Sequence, residues 1–329
     1  MAAGLYPLRR LQVGRETTSG SRVPATQQVI GEHEWTPIID RYQEAYPRGV
    51  RVRHTPRDAN QQRGSRLVVN TDCDFEHLLV PLSCGVVKPS RSGSGPFTHA
   101  FTPDLTARLN IDTLTAEYLV TDGSADHYER EFGYGAVERI RLTWASGQPT
   151  KLSYTIFGRR EQASSITTGV GVVAGREIIP SALWSLAIDD TQANLGNSVL
   201  DGGHFRAGSL EIITGATPRY GIAGRADLDM NGIDTDLLAA TLSLTVSHHG
   251  DAAAEYQHWR DDDLRFVRLQ AASGAKRARI DLTGVYTTAP AMGQDGNTDT
   301  LTFAMALEHN PTVGGQAFAA SVVNNLGGF

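Results

Sequence analysis

The side chains best suited to chemistry lie in three places. His248 and His249, followed by Asp251, are donor types that can hold a metal ion. They close an alternating run, Leu242-Ser-Leu-Thr-Val-Ser247, so exposed polar residues at a strand end account for them. The runs Asp189-Asp190 and Asp261-Asp262-Asp263 offer paired carboxylates. General acid–base work needs the two pKa values pushed apart, and no apolar neighbours stand ready to do that, so these read as solvated turns. Cys73 and Cys84 are the only cysteines. With no histidine at ligand spacing beside them, they suit a reduced cytoplasmic protein better than a disulfide or metal framework. The remaining searches are negative. No Gly-Lys dipeptide provides a phosphate-cradling loop, and no serine has glycine at both second neighbours, as a nucleophile elbow needs. Gly169, Gly171 and Gly175 are spaced wrongly for a dinucleotide fingerprint. The expectation is a protein that is not an enzyme, with no cofactor, no metal and no catalytic residue.

What the chain does contain is strands. Leu114 to Arg159 and Leu242 to Tyr286 look like two copies of one stretch. Aligned, Arg139-Ile-Arg-Leu142 meets Phe266-Val-Arg-Leu269 and Ala145-Ser-Gly147 meets Ala272-Ser-Gly274. Apolar and polar residues alternate on both sides of each Ser-Gly pair, the pattern of a half-buried antiparallel hairpin. A second echo sets Leu11 and Val13 against Leu186 and Ile188, so each half opens with a similar strand. The reading is a mainly β protein of two tandem domains, residues 1–165 and 166–329, each a β-sandwich or barrel with a short flanking helix. A length of 329 residues suits two such domains.

Between the echoes, residues 48–66 hold Arg48, Arg51, Arg53, Arg57, Arg63 and Arg66 with almost no apolar content, which reads as a long exposed loop or a protruding hairpin. Residues 72–84 read as a short helix capped by Asp72 or Asp74 and ended or kinked at Pro81, and 88–96 as a flexible connector. Residues 251–260 are the clearest helix, and the Gly/Asn-rich last twenty residues suggest an arm onto a neighbour.

The bulk properties exclude several partners. A formal net charge of -6 argues against a general nucleic-acid or membrane binder, and no run approaches the ~20 apolar residues of a membrane span. The N-terminus lacks an apolar core of signal-peptide length, so cytosolic synthesis and assembly are expected. Two β-rich domains leave sheet edges that must be covered or used, and pairing around a closed ring uses them.

The opening Leu11-Gln-Val-Gly-Arg-Glu-Thr-Thr-Ser-Gly-Ser-Arg-Val-Pro-Ala-Thr26 resembles the N-terminal signature of the tail tube (major tail) proteins of long-tailed bacteriophages. Further matches follow in family order: Asp74-Phe-Glu-His-Leu78, Phe101-Thr-Pro-Asp-Leu105 as the start of a strand, Phe157-Gly158-Arg159 and Trp184-Ser-Leu-Ala-Ile-Asp189. The resemblance covers most of residues 5–290. It implies sandwich units in rings whose inner sheets fuse into one large barrel. Where one unit per chain makes hexamers, two imply a trimeric, pseudo-hexameric ring, stacked into the tube of a virion tail assembled in the host cytoplasm. The implied partners are the chain itself, the tape measure, terminator and distal tail proteins, and genome DNA passing through unbound. The arginines of 48–66 become candidates for contacts between rings. A conduit should be neutral or acidic inside, because an arginine-lined wall would hold DNA by counterion release. Thr115, Glu117, Thr241, Ser243 and Thr245 are the candidates for facing the lumen. The alternative is a β-sandwich glycan-binding module of a tail tip, which needs an exposed aromatic platform.

Overall fold

The computed structural model describes residues 8–42, 59–199, 204–221, 228–309 and 316–329. The protein is mainly β, and every strand pairing is antiparallel. In chain order the first half carries β1 (Arg10–Arg15), β2 (Gln27–Val29), β3 (Glu32–Tyr42), β4 (Ala59–Asp72), helix α1 (Leu79–Gly85), β5 (Ser90–Ser92), β6 (Phe97–Phe101), β7 (Leu114–Thr121), β8 (Asp126–Ala145), β9 (Lys151–Gly158) and β10 (Gln162–Ala163). The second carries β11 (Trp184–Asp189), β12 (Phe205–Ile213), β13 (Ala216–Arg219), β14 (Gly232–Thr235), β15 (Ala239–Ser247), helix α2 (Gly250–Arg260), β16 (Arg265–Ser273), β17 (Lys276–Tyr286), β18 (Ala291–Asp295), β19 (Thr298–Leu307) and β20 (Phe318–Asn324).

One path is traced twice. In the first unit the hydrogen-bonded order is β1-β7-β8-β9-β4-β3. In the second it is β11-β16-β17-β19-β15-β12. Each helix follows the strand that holds the same place, β4 or β15. The echo of Leu11 with Leu186 falls on equivalent strands. The hairpin alignment does not: β16 and β17 occupy the places of β7 and β8, not of β8 and β9. The sequence pattern has a period of two, so one hairpin fits another equally well and only the pairing decides. Gly147 and Gly274 do turn their hairpins, with φ of +77° and +56°, a conformation glycine adopts without steric cost.

β8 joins the two layers of the first unit. Residues 126–135 pair with β7, and residues 136–143 pair with β9. The change falls where the register slips and Tyr134 takes a φ of +59°. The layers face each other through aromatic rings: Trp35 on β3 lies 4.7 Å from Phe132 and 5.6 Å from Tyr118 between ring centroids. The core is continuous across both units, since Trp144 on β8 stacks on Trp184 of β11 at 5.9 Å.

Several local expectations change. Residues 59–66 belong to β4, because β3 pairs antiparallel with them and β9 joins on the other side from Ser65 onward; Arg48, Arg51, Arg53 and Arg57 lie outside the described residues. The connector 88–96 includes β5, which forms a hairpin with β6. Phe101 ends a strand instead of starting one. The C-terminal segment is no arm over residues 318–324: β20 lies between β17 and β6 and buries Phe318, Ala320 and Val322. Its alternation had been masked by the surrounding Gly and Asn residues. Neither Asp72 nor Asp74 caps α1, whose N-cap is Leu78 with no side-chain bond. Asp74 instead holds the turn before it, accepting from the Glu76 and His77 N–H groups, and Pro81 sits inside α1 near its start, where a missing N–H is tolerated.

Candidate assembly interface

The feature that organises the molecule is a sheet running through both units. β8 pairs with β9 on one side and, over residues 139–145, with β12 of the second unit on the other. The result is an eight-stranded sheet in the order β3-β4-β9-β8-β12-β15-β19-β18. Among the described residues no strand covers the outer edge of β3 or of β18.

The internal seam is packed and charge-matched. On the core face Ile140 lies opposite Ile212 and Leu142 opposite Leu210, each no more than 1 % exposed. Gly208 lies opposite Trp144, and a Cβ there would stand 2.7 Å from the indole nitrogen and 2.7 Å from the Ser243 carbonyl oxygen. Only glycine permits that approach. On the other face the Arg139 guanidinium reaches Glu211 at 3.2 Å.

That other face is mostly polar, with Ile38 and Ile213 exposed on it toward the strand ends. Thr241, Ser243 and Thr245 lie on it, exposed or half-buried, while Leu242, Leu244 and Val246 point into the core. Thr245 and Thr302 hydroxyls are 3.0 Å apart, and Ser153 Oγ donates to Asn70 Oδ1 at 2.6 Å. Two cations on this face meet carboxylates, Lys151 contacting Asp72 at 2.6 Å and Arg66 pairing with Glu138 of the same chain, while Arg141 is exposed there. Arg66 is therefore engaged within the chain. Arg63 is half-buried on β4, where its N–H donates to the Leu228 carbonyl oxygen.

Thr115 and Glu117 are not on this face. β7 belongs to the other layer, and the two residues are 0 % and 3 % exposed. Residues 23–25 and 167 cover them. Glu117 accepts from the N–H groups of Ala25 and Thr167 and from the Thr167 hydroxyl, and Thr115 Oγ1 donates to Glu16. Alternation alone cannot say whether a polar row faces solvent or a second polar layer of the same chain.

Glu16, in the N-terminal signature, is the best-connected carboxylate on that layer. It accepts from Gly20 N–H at 2.7 Å, Tyr134 N–H at 2.8 Å, Thr113 Oγ1 at 2.7 Å and Thr115 Oγ1 at 3.1 Å. The arrangement pins the turn at 17–20 to the bend in β8. A second buried network joins Arg265 to Glu255, with the Tyr286 hydroxyl donating to Glu255 at 2.5 Å. Burial, reinforced by Glu255, pushes the Tyr286 phenol well above its ordinary range.

The other suspected chemistry resolves into local structure. Asp189 is buried and accepts from Gly196 and Ser198 N–H groups; Asp190 pairs with Arg265. Asp261 holds Gln257, and Asp263 holds His258. The His204 and His249 rings lie 4.0 Å apart, but among the described residues no group of three His, Cys, Asp or Glu side chains is placed to hold a metal. Cys73 and Cys84 are buried free thiols whose pKa values burial raises. Among the described residues no helix is long and apolar enough to cross a membrane. No protein-family model matches the chain, and none of the curated proteins compared with it is similar.

Proposed function

We propose that the chain is a structural protein that closes into rings through its eight-stranded sheet, three copies to a ring, and that the rings stack into a bacteriophage tail tube. One observation carries this reading: within a single chain, two equivalent units already share a sheet edge to edge, and among the described residues the sheet stops with an unpaired strand at each end. Such edges polymerise unless something covers or uses them. Repeating the step from one unit to the next around an axis closes them, and three chains then present about 24 strands to the channel. At ~4.8 Å between strands the barrel circumference is about 115 Å before tilt is counted. Barrels of 16–18 strands already leave an aqueous channel, so this one has room for a passing polymer.

The polar face fits a conduit. Its hydroxyls and paired charges offer a DNA backbone few uncompensated cations, so counterion release does not anchor the duplex. The arginines at 48–57 are left as the candidate contact between stacked rings. All four tryptophans are engaged with other aromatic rings, Trp35 with Tyr118, Trp144 with Trp184 and Trp259 with Tyr256, which weighs against a glycan platform. Class-averaged electron microscopy of the purified protein tests the reading. The expected particles are rings or tubes with threefold symmetry and six similar lobes. A monodisperse monomer at all concentrations would reject it.

A further inference from the structure

The seam inside the chain is a template for the seam between chains, and it specifies a register. With Leu67 set equivalent to Leu242 and Thr71 to Val246, at the same separation that relates Leu11 to Leu186, the remaining equivalences follow from the ladders. Trp35 lies opposite Leu67 and Leu210 opposite Leu242, so Trp35 and Leu210 hold the same place on β3 and β12. Leu152 lies opposite Thr71 and Leu301 opposite Val246, which equates β9 with β19. Leu142 in turn faces Leu152, and Met292 faces Leu301. Met292 on β18 therefore corresponds to Leu142 on β8. Inside the chain, Leu142 meets Leu210.

We propose that Met292 of one copy meets Trp35 of the next, in an antiparallel pairing of β18 with β3. Ala291 then lies opposite Thr36, Gly293 opposite Glu34, Gln294 opposite His33, and Asp295 opposite Glu32. Three observations support this register. Met292 is 77 % exposed, although its equivalent Leu142 is 1 % exposed in the internal seam. All five residues of β18 are exposed, so the strand is ready to pair. The next step in the register sets Pro37 against Pro290, neither of which has an N–H to donate, so the ladder ends where both sequences stop it. The last pair, Asp295 with Glu32, opposes like charges, so raising the salt concentration strengthens this seam instead of weakening it.

The inference rests on the ring reading for the identity of the partner, a second copy of this chain. Paired cysteines test it, because opposed residues on antiparallel strands lie about 4.5–5.5 Å apart at Cα, within disulfide reach. Under mild oxidation the full-length double variant A291C/T36C is expected to give a ladder ending at covalent trimer. A291C/E34C, two residues out of register on the same face, is expected to give at least tenfold less. Stronger crosslinking of the second variant would overturn the register. Rings seen by electron microscopy with neither pair crosslinking would overturn the seam and leave the ring reading standing. A monomer in both experiments would remove both. M292E alters an exposed residue, so it should keep the monomer's melting temperature and lose the oligomer; an unchanged oligomer would count against the seam.

Discussion

Glu16 gathers four donors around a carboxylate that is only 4 % exposed. Hydrogen bonds to a charged group contribute about 1.5–3 kcal/mol each, and donors left unsatisfied in the interior add their desolvation cost. Glu16→Ala is therefore expected to destabilise the fold by about 3 kcal/mol or more, measured by urea denaturation. A loss below about 1 kcal/mol would mean that water replaces the carboxylate freely. His77 makes a pH-dependent contribution. Burial lowers its pKa from 6.5 to about 4, and its Nε2 lies 2.6 Å from the Tyr154 hydroxyl. Between these two values the unfolded chain binds the proton and the folded one does not. His77 thus leaves stability intact above pH 6.5 and takes away about 3 kcal/mol as the pH falls toward 4. His77→Gln should flatten that part of the stability–pH curve, and an unchanged slope would assign the dependence to other groups.

At the scale of elements, the seam and the last strand matter most. Gly208→Val places side-chain atoms against the Trp144 indole and the Ser243 carbonyl oxygen. Overpacking of this kind costs about 1–3 kcal/mol, and because the contact sits between β8 and β12 it should also loosen the two units from each other. Hydrogen exchange checks this: residues 139–145 and 207–213 should lose protection together. Removing residues 317–329 takes out β20, which lies between β17 and β6, so each of those strands loses one of its ladders and the core loses Phe318, Ala320 and Val322. The truncated chain is expected to be insoluble or to lose its cooperative transition. A soluble, sharply melting product would show β20 to be dispensable.

At the scale of the whole molecule, the polar face of the long sheet decides whether a tube conducts. Arginine in place of Thr241, Ser243 and Thr245 adds three uncompensated cations per chain to the proposed wall. Tubes of this variant should assemble normally and retain double-stranded DNA, with affinity falling steeply as salt rises. Retention by the unaltered tube, or no retention by the variant, would place this face elsewhere than on the lumen.

The chain's residues by themselves determine that the protein is built of half-buried antiparallel strands with a repeated opening, because a side-chain period of two and Ser-Gly turns are local properties. Leu11 and Leu186, or the hairpins at Gly147 and Gly274, can be found without coordinates for that reason. Which hairpin corresponds to which, that β8 pairs with β12, and that Thr115 and Glu117 are roofed over while Thr241 to Thr245 are not, only the tertiary structure decided. Alternation reports that a strand has two faces, but which neighbour lies along its edge and what covers each face depend on contacts between residues far apart in the chain.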